Sequence, residues 1–190
     1  MFISEDTIKD LSQKFGRPKE VSFEFDVTEE EYDRIKSSQK NGREHDVTLY
    51  ILKDDKLIVI AKHFYPKGLF RAMSGGINLG EDFITGAKRE ALEETGCKIN
   101  INAFILKTHV QFKQIDSDNI INWYSYVFQA SYLSGDFKFT DKHEIREVDL
   151  VDIKQFDSYS QIMRASEIGG LHYRAALHDE VKTLLTFPKK

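Results

Sequence analysis

Apolar residues recur at two spacings along this chain, and each change of spacing marks an element boundary. Ile8, Leu11 and Phe15 lie at helical spacing and predict a helix over 4–15, ended by Gly16 and Pro18. In 20–27 the period drops to two, with Val21, Phe23, Phe25 and Val27 on one face of a strand. Thr28 and Glu31 form a capping box and predict a second helix over 28–38, followed by a loop over 37–44. Residues 46–63 read as two strand runs around a tight Asp54-Asp55 turn. Residues 64–80 carry Pro66, Gly68, Gly75, Gly76 and Gly80, with a short strand expected over 69–73. A helix over about 82–95 follows and stops at Gly96. Two long strand-type runs, 98–112 and 119–133, are joined by the polar link 114–119. Ser134-Gly135 predicts a hairpin turn into 136–140, and 143–156 reads as a strand entering a loop. Residues 171–186 predict a last helix, with Leu171, Ala175, Leu177, Val181, Leu184 and Leu185 on its apolar side.

This order implies an α/β protein: a mixed sheet with helices on its faces. A length of 190 residues fits one domain with a small extension, and a hydrophobic fraction of 41% with 14 Phe and 8 Tyr can build a sizeable core. No repeat or low-complexity tract interrupts it. A net charge of -4 gives no broad basic surface, so no nucleic-acid partner is expected. The single cysteine, Cys97, allows no internal disulfide; it reads as a small buried hydrophobe in a protein of a reducing compartment. The first residues, MFISED, have neither a basic nor an apolar leader region. No apolar run approaches the roughly 18 residues of a membrane span. The expectation is a soluble, cytoplasmic protein with no membrane partner.

The helix over 82–95 breaks local rules. Glu90, Glu93 and Glu94 share one face at i, i+3 and i+4, where like charges repel by a few tenths of a kcal/mol per pair. Gly86 lies one turn below Glu90, and a mid-helix glycine costs about 1 kcal/mol relative to alanine. Ile84, Ala87 and Ala91 form an adjacent apolar stripe, small enough to lie close to a sheet. A solvated acidic face is the ordinary reading of such a string. A bound divalent cation is the alternative, since clustered carboxylates beside a glycine-rich loop suit Mg²⁺.

The surrounding residues favour the cation. From Gly75 the chain runs through five residues to Glu81, seven more to Arg89-Glu90, then Ala91, Leu92, Glu93-Glu94, Thr95, Gly96 and Cys97. This resembles the Nudix box of the MutT-like Nudix hydrolase family, with all seven fixed letters matched over 23 positions. There are departures: Met73 and Ser74 stand where the family commonly has proline and glycine, and Cys97 stands at a position usually Ile, Leu or Val. The resemblance implies a Nudix-type α/β/α sandwich over 43–190. Residues 1–42 would be a helix–strand–helix extension, which could pair with a second copy in a homodimer.

It further implies a metal-dependent hydrolase, using Mg²⁺ or Mn²⁺, that cleaves the pyrophosphate of a nucleoside diphosphate linked to another moiety. That substrate could be a nucleotide sugar, a dinucleotide or a nucleoside triphosphate. On this resemblance the metal ligands are the Ser74 carbonyl, Glu81, Glu90, Glu93 and Glu94. Glu90 would be a further ligand or the base, Arg89 would hold Glu90 or Glu81, and Glu144 or Glu147 is an alternative base from outside the box. Lys62, His63, Lys67 and Arg71 flank the box and could contact phosphate; ordinary solvation is the plain reading of each. Trp123 shares a strand face with Ser125 and Val127, opposite Tyr124, Tyr126 and Phe128, and could stack on a base or pack in the core. His109 reads as a hydrogen-bonded core histidine, and His172 and His178 show no metal-ligand spacing. Positions 111–114 lack the proline and the tyrosine that mark two substrate subfamilies, so the substrate stays open. Two other uses of the fold fit the sequence less well. A non-catalytic nucleotide-sensing module tends to lose box acids that this chain keeps. An isoprenoid diphosphate isomerase needs a cysteine placed differently from Cys97.

Overall fold

The computed structural model describes residues 3–39 and 42–187. The predicted loop at 37–44 therefore falls partly, and the expected domain end at 190 wholly, outside the described residues. In chain order the elements are α1 (Glu5–Phe15), β1 (Lys19–Val27), α2 (Glu29–Ser38), β2 (His45–Lys53), β3 (Lys56–Lys62), β4 (Met73–Gly75), α3 (Phe83–Thr95), β5 (Cys97–Gln114), β6 (Ile120–Gly135), β7 (Ile145–Val151), α4 (Gln155–Arg164) and α5 (Gly169–Lys182).

The strands form one mixed seven-stranded sheet in the order β1-β5-β6-β2-β3-β7. β4 pairs with Val47–Leu49 of β2, while β3 pairs with Ile51–Lys53 further along. β3 and β4 thus share one edge of β2. β2 is buried almost throughout because both sheet faces are covered, the setting in which a strand reads as a continuous apolar run. Val47, Leu49 and Ile51 face one core with α1 and α3; Tyr50 and Leu52 face the other with α2, α4 and α5. Along β6, Trp123 and Val127 join the second core and Tyr126 and Phe128 the first.

The sheet does not stop at residue 43. β1 runs parallel to β5 over nine paired residues, Lys19–Val27 against Leu106–Gln114. Its apolar face packs inward, while Glu20 and Glu24 pair with Lys107 and Lys113 on the neighbouring strand. Charges on an edge strand discourage further strand addition.

Several local expectations need correction. No strand follows Gly135: residues 136–140 form an irregular segment that docks on α3, with Thr140 and Asp141 N–H donating to the Glu93 carbonyl. The short strand lies at 73–75, with only an Arg71–Ile60 bridge ahead of it. α4 replaces the expected loop after 154. The last helix ends at Lys182, before Leu184 and Leu185. His109 is not a core residue. It stacks on Tyr124 at 4.8 Å and bonds Asn122 on the sheet surface.

Candidate active site

α3 is positioned by both ends. Asp82 caps its start by accepting from Thr85 N–H, and Gly96 ends it in the left-handed conformation (φ 70°). Ala87 and Ala91 are fully buried, so the helix lies close against the sheet. The acidic face then turns toward the 73–81 loop. The space beside Gly86 is filled: a Cβ there would come 2.7 Å from a Glu81 carboxylate oxygen and 2.9 Å from Ile77. At Gly75 a Cβ would overlap the Glu90 carboxylate, which lies across the glycine's backbone.

Arg89 ties this face together. Its Nε and Nη2 each donate at 2.8 Å to the two oxygens of Glu81, a bidentate pair. Nη1 reaches Glu90 at 2.8 Å and Glu93 at 3.1 Å, and Nη2 also reaches the Gly76 carbonyl. These hydrogen bonds hold the Glu81 carboxyl down at about 2. Burial, by contrast, pushes Glu90 above the usual carboxylate range despite the same arginine.

Glu94 is apart from this knot. It is 3% exposed, and its buried Oε2 has no hydrogen-bond partner among the described residues. Burial lifts its pKa to about 7, against the pull of Arg71 and Lys62 and with the push of Glu90 and Glu144. Carboxylate oxygens of Glu94, Asp141 and Glu144 all lie within 4.8 Å of one another. Asp141 Oδ1 accepts from Glu144 N–H, and the contacts to the Glu93 carbonyl hold this loop against the end of α3. A buried carboxylate with one oxygen lacking a donor, clustered with two further acids, is a donor set that fits a hard divalent cation.

Ser74 sits on β4 with its hydroxyl oxygen accepting from two guanidiniums, Arg71 Nη1 at 2.9 Å and Arg174 Nη2 at 3.1 Å. Arg174 comes from α5 and pairs with buried Asp46 at 2.6 Å. Burial alone would raise the Asp46 carboxyl, but Arg174 and Ser125 hold it below the usual range. Arg71 also donates to Tyr65 Oη and the Ala72 carbonyl.

Lys62, Arg71 and Trp123 line a single pocket of about 180 Å³ together with Phe64, Tyr65 and Arg174. Lys62 forms an ion pair with Glu144, which joins the pocket to the acids. His63 bonds the Lys142 carbonyl; Lys67 and Glu147 are exposed. Cys97 and His178 are buried, and His172 bonds the Ser166 carbonyl.

Sequence reasoning passed over Asp141, Arg174, Arg34 and Phe64. Asp141 carries one local signal, an aspartate three residues before Glu144 that can accept its N–H. Arg174 interrupts the run Leu171–Leu177 of a buried helix, which marks it as needing a partner.

A family model described as the NUDIX domain matches residues 42–168. Among solved structures, the chain is similar to a NUDIX hydrolase from Nitrosomonas europaea at 15% identity, covering 77% of this chain and 93% of that one, with TM-score 0.54. It is also similar to a MutT NUDIX hydrolase from Burkholderia pseudomallei at 20% identity, over 59% and 84% of the two chains, with TM-score 0.45. A third likeness is to an ADP-ribose pyrophosphatase from Streptococcus suis 89-1591, at 11% identity over 76% and 95%, with TM-score 0.45. At 15% identity the first of these is a likeness of fold. No curated protein sequence matches the chain. No helix among the described residues is long and apolar enough to cross a membrane.

Proposed function

This chain belongs to the Nudix family of hydrolases, and from that premise we propose that it cleaves the pyrophosphate linkage of a nucleoside diphosphate joined to another moiety, with Mg²⁺ or Mn²⁺ at the acids around α3. The observation that carries this reading is the buried Glu94 carboxylate, whose Oε2 has no partner among the described residues, clustered with Asp141 and Glu144. A carboxylate in that position is neutralised either by a proton or by a cation.

Glu93, Glu94, Asp141 and Glu144, with the Ser74 carbonyl, are the groups that would hold the ion. When bound, a divalent cation supplies neutralisation of the diphosphate charge and polarisation of the phosphorus–oxygen bonds. The remaining work belongs to the chain. Arg89 fixes Glu81, Glu90 and Glu93 in one arrangement, so the acids do not reorganise during the reaction. Glu90 is the proposed base: Arg89 occupies Oε1, Oε2 lies over Gly75, and burial raises its proton affinity toward what a general base at neutral pH needs. Arg71 and Lys62 present positive charge to the phosphates, and Trp123 contributes a wall of the adjoining pocket.

Phosphate release from a panel of nucleotide sugars, dinucleotides and nucleoside triphosphates, with Mg²⁺ and with added phosphatase, tests the activity. On whichever compound the parent cleaves, Glu94→Gln should lose more than the roughly 10–100-fold typical of residues that only support metal ligands. Calorimetry should show weaker Mn²⁺ uptake by the same variant. Parent-like turnover and Mn²⁺ affinity in Glu94→Gln would refute the assignment.

A further inference from the structure

α2 precedes the segment matched by the family model, which begins at residue 42, yet its Arg34, Ile35 and Ser38 wall the pocket next to the acids. The helix is fixed in that place. Glu31 closes its capping box and also accepts from the N–H of Gly169, the first residue of α5. Tyr32 and Ile35 pack on the core shared with α5. The opposite wall, Gly170, Leu171, Tyr173 and Arg174, also lies beyond the matched segment.

The two ends of the pocket differ chemically. At the inner end, Arg71 is 3% exposed and hydrogen-bonds only neutral acceptors; among the described residues no carboxylate lies within ion-pair distance of it. The other cations of the lining are matched: Arg34 by Glu30, Lys62 by Glu144 and Arg174 by Asp46. Arg71 therefore carries its charge beside Ser74 without a direct ion pair, on the side of the acids, where it acts on Glu94. At the outer end, the Phe64 ring is 56% exposed and so open to a ligand. It is braced edge-on by Tyr65 at 4.8 Å, and the Arg34 guanidinium lies 5.9 Å from its centroid. The guanidinium lies over the ring, and the pair offers a planar, polarisable surface. A volume of about 180 Å³ falls short of the roughly 300 Å³ at which whole small-molecule sites begin, so one flat end of a ligand enters and the rest extends outward.

We propose that α2 is a substrate-recognition element, and that the nucleoside end of the substrate enters this pocket with its base against Phe64 and Arg34 and its nearer phosphate toward Arg71. The orientation rests on the pyrophosphohydrolase reading above. The group on the far side of the diphosphate then lies outside the pocket, so the enzyme discriminates among bases and tolerates variation in the other moiety.

Trp123 is the single tryptophan of the chain and lines this pocket, so its fluorescence reports occupancy directly. Titrations are made in chelator, where no turnover occurs, with adenosine 5′-monophosphate, uridine 5′-monophosphate and ribose 5-phosphate, which lacks a base. At least one nucleotide should change Trp123 emission saturably and bind at least about fivefold tighter than ribose 5-phosphate. Phe64→Ala should raise that nucleotide's Kd roughly 5- to 150-fold, the range for loss of a base–aromatic contact, while melting like the parent. Arg34→Ala should raise it in the same direction. Equal affinity for ribose 5-phosphate, an unchanged Kd in Phe64→Ala, or no saturable response to either nucleotide overturns the proposal. Hydrolysis is scored separately. Cleavage by the parent combined with any of those results leaves the catalytic reading standing and removes this one. The expected binding without cleavage of any compound does the reverse.

Discussion

Gly75 shows how closely single residues are committed at this site. The Glu90 carboxylate occupies the space that any side chain at position 75 would take. Gly75→Ala should therefore push Glu90 aside and leave the fold intact, because the displaced atoms are the end of a flexible side chain. Misplacing a reacting group by about 1 Å can cost about 10²-fold. We expect a loss of that order in kcat with an unchanged melting temperature, read by steady-state kinetics and thermal melts of the same sample. The acids of α3 were legible in the sequence because helical spacing alone puts Glu90, Glu93 and Glu94 on one face. Asp141 was not, because backbone contacts from Thr140 and Asp141 to the Glu93 carbonyl bring it to Glu94, and nothing in the local pattern encodes that docking.

Among the elements, α4 was the one the hydrophobic pattern did not disclose. Phe156, Tyr159 and Met163 are buried at helical spacing, but Lys154 offers no side-chain cap to mark a start, and serines and an aspartate dilute the stripe. What fixes α4 is its partner. His178 of α5 is 1% exposed and stacks on Phe156 at 4.5 Å. Burial first, then Arg174, Arg71 and Lys182, hold its pKa near 3, and burial lowers His45 to about 4. Both imidazoles are thus neutral in the folded protein and take up protons near 6.5 when unfolded. The associated stability is fully present above pH 6.5 and is lost progressively as pH falls toward the folded values, by up to about 1.4 kcal/mol per pH unit for each group. Melting temperature should fall between pH 6.5 and 4, and His178→Phe should flatten that slope even if it lowers stability at neutral pH. A variant slope equal to the parent's would contradict this origin.

On the scale of the whole molecule, the class of fold could be read from the order of elements, but the strand order could not. Pairing of β1 with β5 joins residues 87 positions apart in parallel, and neither strand's alternation names its neighbour. That pairing makes the segment 3–39 part of the sheet and of both cores, through Leu11 on one side and Val27 on the other. A chain lacking residues 1–42 should therefore show no cooperative thermal transition by circular dichroism, because it loses those contacts and opens the long edge of β5. A cooperative melt near the parent's temperature would show the extension to be dispensable for folding.

The hydroxyl of Ser74 has a consequence for what this position can give to an ion. A serine oxygen has two lone pairs, and guanidiniums from two separate elements, the β3–β4 connection and α5, already occupy them. The side chain is thus saturated as an acceptor, and coordination at this position falls to the peptide oxygen alone. Ser74→Gly, which restores the residue common in the family, should keep Mn²⁺ affinity in calorimetry. What it should loosen is the registration of the C-terminal helix against the catalytic loop, seen as faster amide exchange at the start of α5.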